Sequence, residues 1–192
     1  ETITGAADRI AELEMQEAKL LDKLAKHGSA LSDKRKSAAT EMGKGIELEL
    51  DDLKMASAQF GVDFQTKPDI NGIPFADGTR LAFDQNGFDR IEFLVAPNPG
   101  EGLKPLAKVA SGGETSRLIL GLKNVMARAD EVPSLIFDEI DQGIGGRVGM
   151  VVGHKLWNLS RSHQVFCVTH LPQLAVFGGG REDVWEPEED VY

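Results

Sequence analysis

Two short groups of residues in the middle of the chain have types and spacing suited to phosphate chemistry. The first is the turn Ser111-Gly112-Gly113-Glu114, and the second is the carboxylate pair Asp138-Glu139, about twenty-five residues further on. Backbone N–H groups at the start of a helix bind anions. Carboxylates at the end of a strand bind hard cations or accept protons. The two groups therefore predict a site that handles phosphate groups.

The glycine-rich turn opens a predicted amphipathic helix. After Glu114, apolar residues recur at steps of three and four, as on a helix with one buried face: Leu118, Leu122, Val125 and Ala129. Ser111 is predicted at the N-cap, and Glu114 follows at the spacing of a capping box. Gly112 and Gly113 leave the first N–H groups open to an anion. Taken alone, the turn is equally consistent with an ordinary capped helix.

The carboxylate pair directly follows a predicted buried strand, Leu135-Ile136-Phe137. At the carboxyl end of a parallel strand, one carboxylate of the pair is suited to hold Mg²⁺ and the other to accept a proton from an attacking water. The alternative is a pair of solvated acids. Asp141 comes two residues later and is followed by a glycine-rich loop.

A second predicted strand, residues 163–169, ends at His170. A crossover helix over about 147–160 would place this strand parallel to the first. His170 is then positioned to bond a terminal phosphate. A structural histidine at the end of a strand is the competing interpretation.

These residues carry a resemblance to a known family. SGGE resembles the signature motif of ABC-type ATPases, and LIFDE resembles their Walker B strand. Asp141 matches the D-loop, and His170 matches the switch histidine. The strings NPGEGLKPLAKVASGGETSR, LIFDEIDQGIGGR and SRSHQVFCVTHLPQLA are similar to the RecN family of SMC-like bacterial DNA repair proteins. The resemblance covers about residues 30–177 and is densest over 86–175.

The resemblance implies a role for each motif residue. The signature residues would contact the γ-phosphate of an ATP held by a second head: Ser111, Gly112, Gly113 and Glu114. Asp138 would help to hold Mg²⁺, and Glu139 would position and deprotonate the attacking water. His170 would bond the γ-phosphate, and Asp141 would couple the two nucleotide sites.

The resemblance also implies the fold class, and together with the heptad pattern and the composition it predicts the domain organisation. We expect an α/β fold, the C-terminal half of an ABC/SMC-type P-loop ATPase head with parallel strands and helices, preceded by a coiled-coil helix. The expected divisions are a coiled-coil region (1–59), the C-terminal lobe of the head (60–177) and an acidic tail (178–192).

The first region has the heptad pattern of a coiled coil. Its predicted seam repeats every seven residues, with a second set three residues later: Ile3, Ile10, Glu17, Leu24 and Leu31, then Ala6, Leu13 and Leu20. A second phase follows: Ala39, Met42, Ile46, Leu50 and Leu53. The change of phase predicts a stutter, and Gly28 is either a kink or a break. A pair of ordinary core helices is the alternative.

Alternating apolar residues predict half-buried strands over 60–96. Asn71-Gly72 and Asn86-Gly87 are turn signals, the second expected to close a hairpin. Residues 97–108 are expected to form a loop that leads into the signature turn. Arg117 opposes the dipole of its helix. A contact with a partner or substrate would compensate for this, and so would a salt bridge to Glu114 or Asp141, which is the interpretation we favour.

No GxxxxGK[ST] stretch, the loop that cradles the phosphates in P-loop ATPases, is present in the sequence. We therefore expect a fragment, with ATP hydrolysis only in the complete head and no activity from this chain alone. The implied partners are an N-terminal head lobe with the P-loop, a second head in a homodimer across ATP, and DNA. The implied process is recombinational repair of double-strand breaks.

Composition narrows the possible ligands and the cellular compartment. A formal net charge of −10 argues against broad phosphate-backbone binding by this chain. The single cysteine, Cys167, excludes an internal disulfide and is expected to be a core thiol in a reducing compartment. No signal peptide or membrane-spanning run is recognised, so membrane association is not expected and the resemblance implies a cytoplasmic, nucleoid-associated protein.

Two other functions compete with the ATPase. The first is a structural tether, in which the coiled coil bridges DNA ends and the head is only a slow clamp. The second is the nucleotide-binding subunit of a membrane transporter. Such subunits usually have Gln at the position of Glu114 and lack a preceding coiled coil.

Overall fold

The computed structural model describes residues 2–109, 112–127 and 129–179. The helices in this part of the chain are α1 (Thr2–Asp52), α2 (Gly113–Met126), α3 (Gly146–Leu159) and α4 (Pro172–Ala175), with a 3-10 turn at Leu106–Lys108. The strands are β1 (Gln59–Gln65), β2 (Pro68–Pro74), β3 (Arg80–Leu81), β4 (Arg90–Ala96), β5 (Lys104–Pro105), β6 (Ser134–Phe137) and β7 (Gln164–Cys167). The expected acidic tail lies almost wholly outside the described residues.

The chain divides into two compact units, and their boundaries differ from the expected domains. The first unit comprises residues 1–44 and 60–95, and the second comprises 45–59 and 96–192. The end of α1 belongs to the second unit because Ile46 and Leu50 are fully buried there. The phase change predicted near residue 39 therefore lies before Ile46 and Leu50, where the apolar side chains of α1 become fully buried.

Within the first unit, α1 continues through Gly28 without a break. A Cβ atom at Gly28 would lie 2.9 Å from the ring of Phe88, so the glycine makes room for an aromatic side chain. Further along the helix, Ser32 donates a hydrogen bond to Asp89 at 2.9 Å, and Arg35 lies 3.5 Å from the same carboxylate.

The predicted heptad seam is exposed. The described seam residues are between 38% and 59% exposed: Ile10, Leu13, Leu20, Leu24 and Leu31. A stripe of leucine and isoleucine on one helix face is typical of a surface that packs on another helix.

Strand pairing in the first unit corrects two turn predictions. Asn71-Gly72 is not a turn, because it lies inside β2, which pairs antiparallel with β3 around an irregularity. Gly72 is required there because a Cβ atom would lie 2.1 Å from the carbonyl oxygen of Leu81. Asn86-Gly87 does form a tight turn, and the predicted hairpin is reduced to a single bridge between Asp84 and Gly87. The strand before this turn pairs with β2 instead of closing a hairpin with β4, and β4 lies beside β1.

The second unit is built on two parallel strands. β6 and β7 pair in parallel from Ser134↔Gln164 to Phe137↔Cys167, and α3 makes the crossover between them, as the sequence predicted. The buried core is formed by residues of β6, of the helices and of the turns beside them: Leu53, Leu120, Phe137, Ile140, Val152, Leu156, Leu159 and Leu174. The opposite strand face is open, with Ile136 and Phe166 exposed, so the prediction of two fully buried strands was wrong.

A buried lysine fixes the end of α1 to α3. The Lys155 ammonium group donates to Glu49 at 2.9 Å and to Asp52 at 2.8 Å. Burial on its own lowers the pKa of Lys155, but the bonds to Asp52 and Glu49 outweigh burial and raise it. These two ion pairs of Lys155 thus join the last turn of α1 to the helix that connects β6 and β7.

None of the helices in the described ranges is long and apolar enough to cross a membrane.

Candidate nucleotide site

The signature turn enters α2 one residue later than the capping-box spacing predicts. The helix begins at Gly113, and Gly112 is the N-cap without a side-chain cap bond. Ser111 lies outside the described residues. Gly112 has φ 149°, a conformation that side chains with a Cβ rarely adopt. Glu114 is exposed in the first turn, where a carboxylate is favoured by the helix dipole.

Gly113 is packed directly against the loop that follows β6. A Cβ atom on this residue would lie 2.8 Å from the carbonyl oxygens of both Glu139 and Gln142. It would also lie 2.9 Å from a guanidinium nitrogen of Arg117. Glycine at this position is therefore a packing requirement, because any larger residue would push the helix start away from the loop.

Polar side chains hold the first turn of α2 to the same loop. The Ser116 hydroxyl donates to the carbonyl of Asp138 at 2.8 Å. Arg117 donates to the carbonyl of Gln142 at 2.9 Å and to that of Ile140 at 3.3 Å. These bonds fix the first turn of α2 relative to the carboxylate pair, so the two groups recognised in the sequence form one structural assembly.

Arg117 does not form the predicted salt bridge with Glu114 or Asp141 in the part of the chain that the structure describes. It is buried and donates to main-chain carbonyls instead. Burial lowers the pKa of Arg117, and the charge of Glu114 opposes that shift. The positive group is thus used to hold a loop.

The carboxylate pair lies at the carboxyl end of β6, as predicted. Both side chains are exposed, and Asp138 Oδ1 accepts the backbone N–H of Glu139 at 2.8 Å. Glu139 has φ 55°, a left-handed conformation uncommon for a residue other than glycine. Such conformations persist where the surrounding structure imposes them, and they concentrate at functional sites.

Asp141 is buried and faces inward, where it joins the ends of the two strands. Its Oδ2 atom accepts a bond from the Thr169 hydroxyl and another from the backbone N–H of His170 at 2.9 Å. Burial favours a higher pKa for Asp141, but these bonds and the His170 imidazole hold the pKa below its usual value. The charged carboxylate therefore stabilises the loop in which it lies.

His170 lies at the end of β7 with its side chain 76% exposed. Its Nδ1 atom is 3.2 Å from Asp141 Oδ2, which orients the ring and leaves Nε2 directed away from that carboxylate. The exposed edge of the imidazole can therefore reach a ligand.

The predicted site residues that the structure describes line two neighbouring clefts. The signature cleft contains Gly112, Gly113 and Glu114 together with two lysines that the sequence reasoning missed, Lys104 and Lys108. Their closeness to the signature turn in sequence was the available signal.

The carboxylate cleft contains the other predicted residues: Asp138, Glu139, Asp141 and His170. Gln142 and Thr169 also line it, and Gln142 lines the signature cleft as well. Gln142 directly follows Asp141 in sequence, but only the fold shows that it borders both clefts. Among the described residues, no group of three or more acidic, histidine or cysteine side chains forms a metal centre.

No family model matches the chain. A DNA repair protein RecN from Halalkalibacterium halodurans is 39% identical over 175 residues, which is 91% of this chain and 29% of that protein. The RecN of Vibrio cholerae is 40% identical over 178 residues, or 93% of this chain and 26% of that protein. The chain is homologous to a segment of RecN. It spans less than a third of the length of these RecN relatives.

A solved structure agrees with this fold. The Smc head domain with a coiled coil and joint from Pyrococcus yayanosii superposes with a TM-score of 0.52 over 90% of this chain and 30% of that one, at 16% identity. The fold is thus that of the C-terminal region of an SMC-type head with a preceding long helix. In this RecN-like segment, β6, β7 and α2 carry the motif residues.

Proposed function

We propose that this chain supplies the signature motif, the Walker B carboxylates and the switch histidine of a RecN-type ATPase that acts in the repair of DNA double-strand breaks. The observation that carries the proposal is the carboxylate cleft, in which Asp138, Glu139 and His170 meet at the ends of two parallel strands. Residues from two separate stretches of sequence converge at the edge where open α/β sheets bind ligands. The relationship to RecN supplies the process.

The exposed residues of the carboxylate cleft suit hydrolysis of a phosphoanhydride. Glu139 presents an exposed carboxylate that orients the attacking water and accepts its proton. His170, oriented by Asp141, directs its outer edge toward the terminal phosphate. Water attacks the γ-phosphorus, the bond to the bridging oxygen breaks, and ADP and inorganic phosphate leave.

The donor set fits magnesium bound together with a nucleotide. Asp138 is exposed, and only its Oδ1 atom is used by the recorded bond to Glu139 N–H, so its second oxygen can face a hard cation. Mg²⁺ commonly takes one or two carboxylates plus phosphate oxygens, and it would neutralise charge on the β- and γ-phosphates. Asp138 holds that position, and Glu139 remains available as the base.

Gly112, Gly113 and Glu114, with Ser111, form the surface offered to a nucleotide bound by a second head. Gly112, Gly113 and Glu114 lie at the start of α2 and line the signature cleft, together with Lys104 and Lys108. This turn would close over a γ-phosphate, so ATP would join two heads and its hydrolysis would release them. Asp141 would couple the two sites by fixing the loop that separates the clefts.

The test is ATP turnover by this chain alone and mixed with a polypeptide that carries the P-loop lobe of a RecN-type head. We expect no turnover from the chain alone and turnover on mixing. Glu139→Gln should abolish turnover while nucleotide binding and head association persist. Unchanged turnover in Glu139→Gln would contradict the role of Glu139. Silence of the mixture, with the two polypeptides shown to associate, would contradict the ATPase.

A structural tether is the second candidate, and the exposed heptad seam of α1 favours it. Leucine and isoleucine residues along that seam are available for another helix. In this function the coil bridges DNA ends and nucleotide turnover is incidental. Salt-sensitive bridging of DNA by the complete protein that persists at full strength in Glu139→Gln would favour the tether over an ATP-driven cycle.

A further inference from the structure

The side chain of Gln142 is bonded to the helix start that the proposed function assigns to phosphate. The backbone N–H of Gly113 donates to Gln142 Oε1 at 3.2 Å. Among the first N–H groups of a helix, which have no partner within the helix, this one is therefore satisfied by a side chain from the loop after β6. A phosphate oxygen that approaches the same N–H must replace the amide oxygen.

The main chain of Gln142 is held separately from its side chain. Arg117, which is buried, donates to the Gln142 carbonyl at 2.9 Å. Gln142 N donates to the Glu139 carbonyl at 3.0 Å, closing a turn that contains Asp141. The side chain can therefore leave Gly113 while the main chain stays anchored in the carboxylate cleft.

The location of Gln142 gives it contact with both clefts. It lines the signature cleft beside Gly112 and Gly113, and it lines the carboxylate cleft beside Glu139 and His170. Nothing else among the motif residues of the described chain borders both. A change in the position of the Gln142 side chain at the signature turn therefore also changes one wall of the carboxylate cleft.

We propose that Gln142 is a latch on the signature turn. Its amide oxygen accepts the hydrogen bond of Gly113 N–H, and arrival of a terminal phosphate from a second head displaces it into the space between the clefts. The inference rests on the proposed function, since the displacing group is the phosphate of that function. Gln142 is a positioning residue, and it sets the cost of engaging a second head without taking part in bond breaking.

The first experiment tests the latch without nucleotide. Amide hydrogen exchange at Gly113 is measured by NMR in the full chain and in Gln142→Ala. Loss of one neutral hydrogen bond should speed exchange at Gly113 by roughly threefold or more, with Leu118 and Leu122 in the same helix unchanged. Equal exchange at Gly113 in both proteins would overturn the latch, whatever the fate of the ATPase proposal.

The second experiment uses heads assembled from this chain and the P-loop polypeptide, in the Glu139→Gln background, and measures the ATP concentration that gives half-maximal pairing of two such heads. Gln142→Ala should lower that concentration by roughly two- to tenfold, because phosphate no longer competes with an amide. Gln142→Glu should raise it, because a carboxylate holds the N–H more strongly and repels phosphate. Gln65→Ala, an exposed glutamine of β1 whose side chain donates to Asp63, is the matched control.

The outcomes separate the two proposals. Pairing of the assembled heads that needs no ATP, or no pairing at all, in the parent protein would contradict the proposed function, while the exchange experiment would still decide the latch bond. Association that requires more ATP in Gln142→Ala would mean that Gln142 binds the phosphate itself, and that result would overturn the latch. A response equal to that of Gln65→Ala would overturn it as well.

Discussion

Gly113 shows how a single residue can be dictated by packing and by chemistry together. Its missing side chain lets the start of α2 lie against the carbonyls of Glu139 and Gln142. Gly113→Ala places a methyl group where two backbone oxygens lie at 2.8 Å. We expect a loss of about 1–3 kcal/mol in the free energy of unfolding, because backbone atoms cannot yield as a flexible side chain would. Urea denaturation of the parent chain and of Gly113→Ala measures this loss.

Gly102 provides the matched control for Gly113. A Cβ atom there meets nothing within 4 Å, and its backbone does not require glycine. Gly102→Ala should change the free energy of unfolding by less than about 0.5 kcal/mol. Equal losses in the two variants would mean that crowding at Gly113 is not the cause.

Asp141 makes stability depend on pH. Although burial favours a higher pKa, bonds from Thr169 and His170 hold the pKa of Asp141 below its ordinary value of 3.8. The unfolded chain therefore binds the proton more readily, so the contribution is complete above the ordinary pKa and is lost as pH falls through the lower folded value.

Asp141→Asn should remove that pH dependence. Unfolding free energies measured in urea at a series of acidic pH values should converge for the parent chain and Asp141→Asn as the pH drops below 3.8. Glu92→Gln, at an exposed site on β4, should run parallel to the parent. Parallel curves for Asp141→Asn would show that the buried carboxylate gives no such stabilisation.

At the scale of one element, α1 contains two glycines whose replacement should have opposite effects. Gly5 faces open space, so Gly5→Ala should stabilise the helix by about 0.5–1 kcal/mol. Gly28 lies under Phe88, so the methyl group in Gly28→Ala would displace that ring and cost about 1–3 kcal/mol, more than the helix gains.

Circular dichroism during thermal unfolding compares the two α1 variants. The midpoint should rise for Gly5→Ala and fall for Gly28→Ala. A rise in both would indicate that Phe88 repacks without cost. The contrast matters because helical propensity alone, read from the sequence, predicts the same sign for each.

The junction of α1 and α3 depends on Lys155. Lys155→Ala leaves the carboxylates of Glu49 and Asp52 without their cation, although both retain partial contact with water. We expect a loss of about 1–3 kcal/mol, and faster amide exchange over residues 45–52. Lys26→Ala, which breaks an exposed pair with Asp22, should cost about 0.5 kcal/mol or less.

A double-mutant cycle tests whether the junction acts through this ion pair. If the Lys155–Glu49 contact carries the effect, Lys155→Ala combined with Glu49→Gln should cost less than the sum of the two single changes. Strict additivity would show that the lysine acts through its aliphatic packing instead.

At the scale of the whole chain, net charge opposes DNA binding by this segment. With a formal charge of −10, we expect a dissociation constant for duplex DNA weaker than about 10⁻⁴ M at about 0.15 M salt. Fluorescence anisotropy with a labelled duplex provides the measurement. Micromolar binding that weakens steeply with added salt would instead reveal a concentrated basic surface on this segment.

Local patterns predicted the scaffold of the site. Apolar runs that end in polar residues predicted β6 and β7, and the helical stretch between them predicted their parallel pairing. These features depend on periods of two and 3.6 residues and on chain connectivity, all of which a sequence displays. The placement of Asp138, Glu139 and His170 at one edge followed from the same reasoning.

Contacts between distant segments were not predictable from these patterns. The partners of Arg117 are main-chain carbonyls more than twenty residues away, and carbonyls have no signature in sequence. Asn71-Gly72 has the residues of a turn, yet Gly72 serves the close approach of Leu81 across β2 and β3. The exposed strand face was missed because an apolar run does not indicate how many of its faces are covered within the chain.

That exposed strand face has a consequence for the solubility of the chain at different pH values. Ile136 and Phe166 are 75% and 50% exposed, whereas the isoelectric point is about 4.9. At neutral pH the shared negative charge keeps copies apart in spite of the apolar surface. Close to pH 5 that repulsion vanishes while the apolar strands remain, so the chain should precipitate on mild acidification.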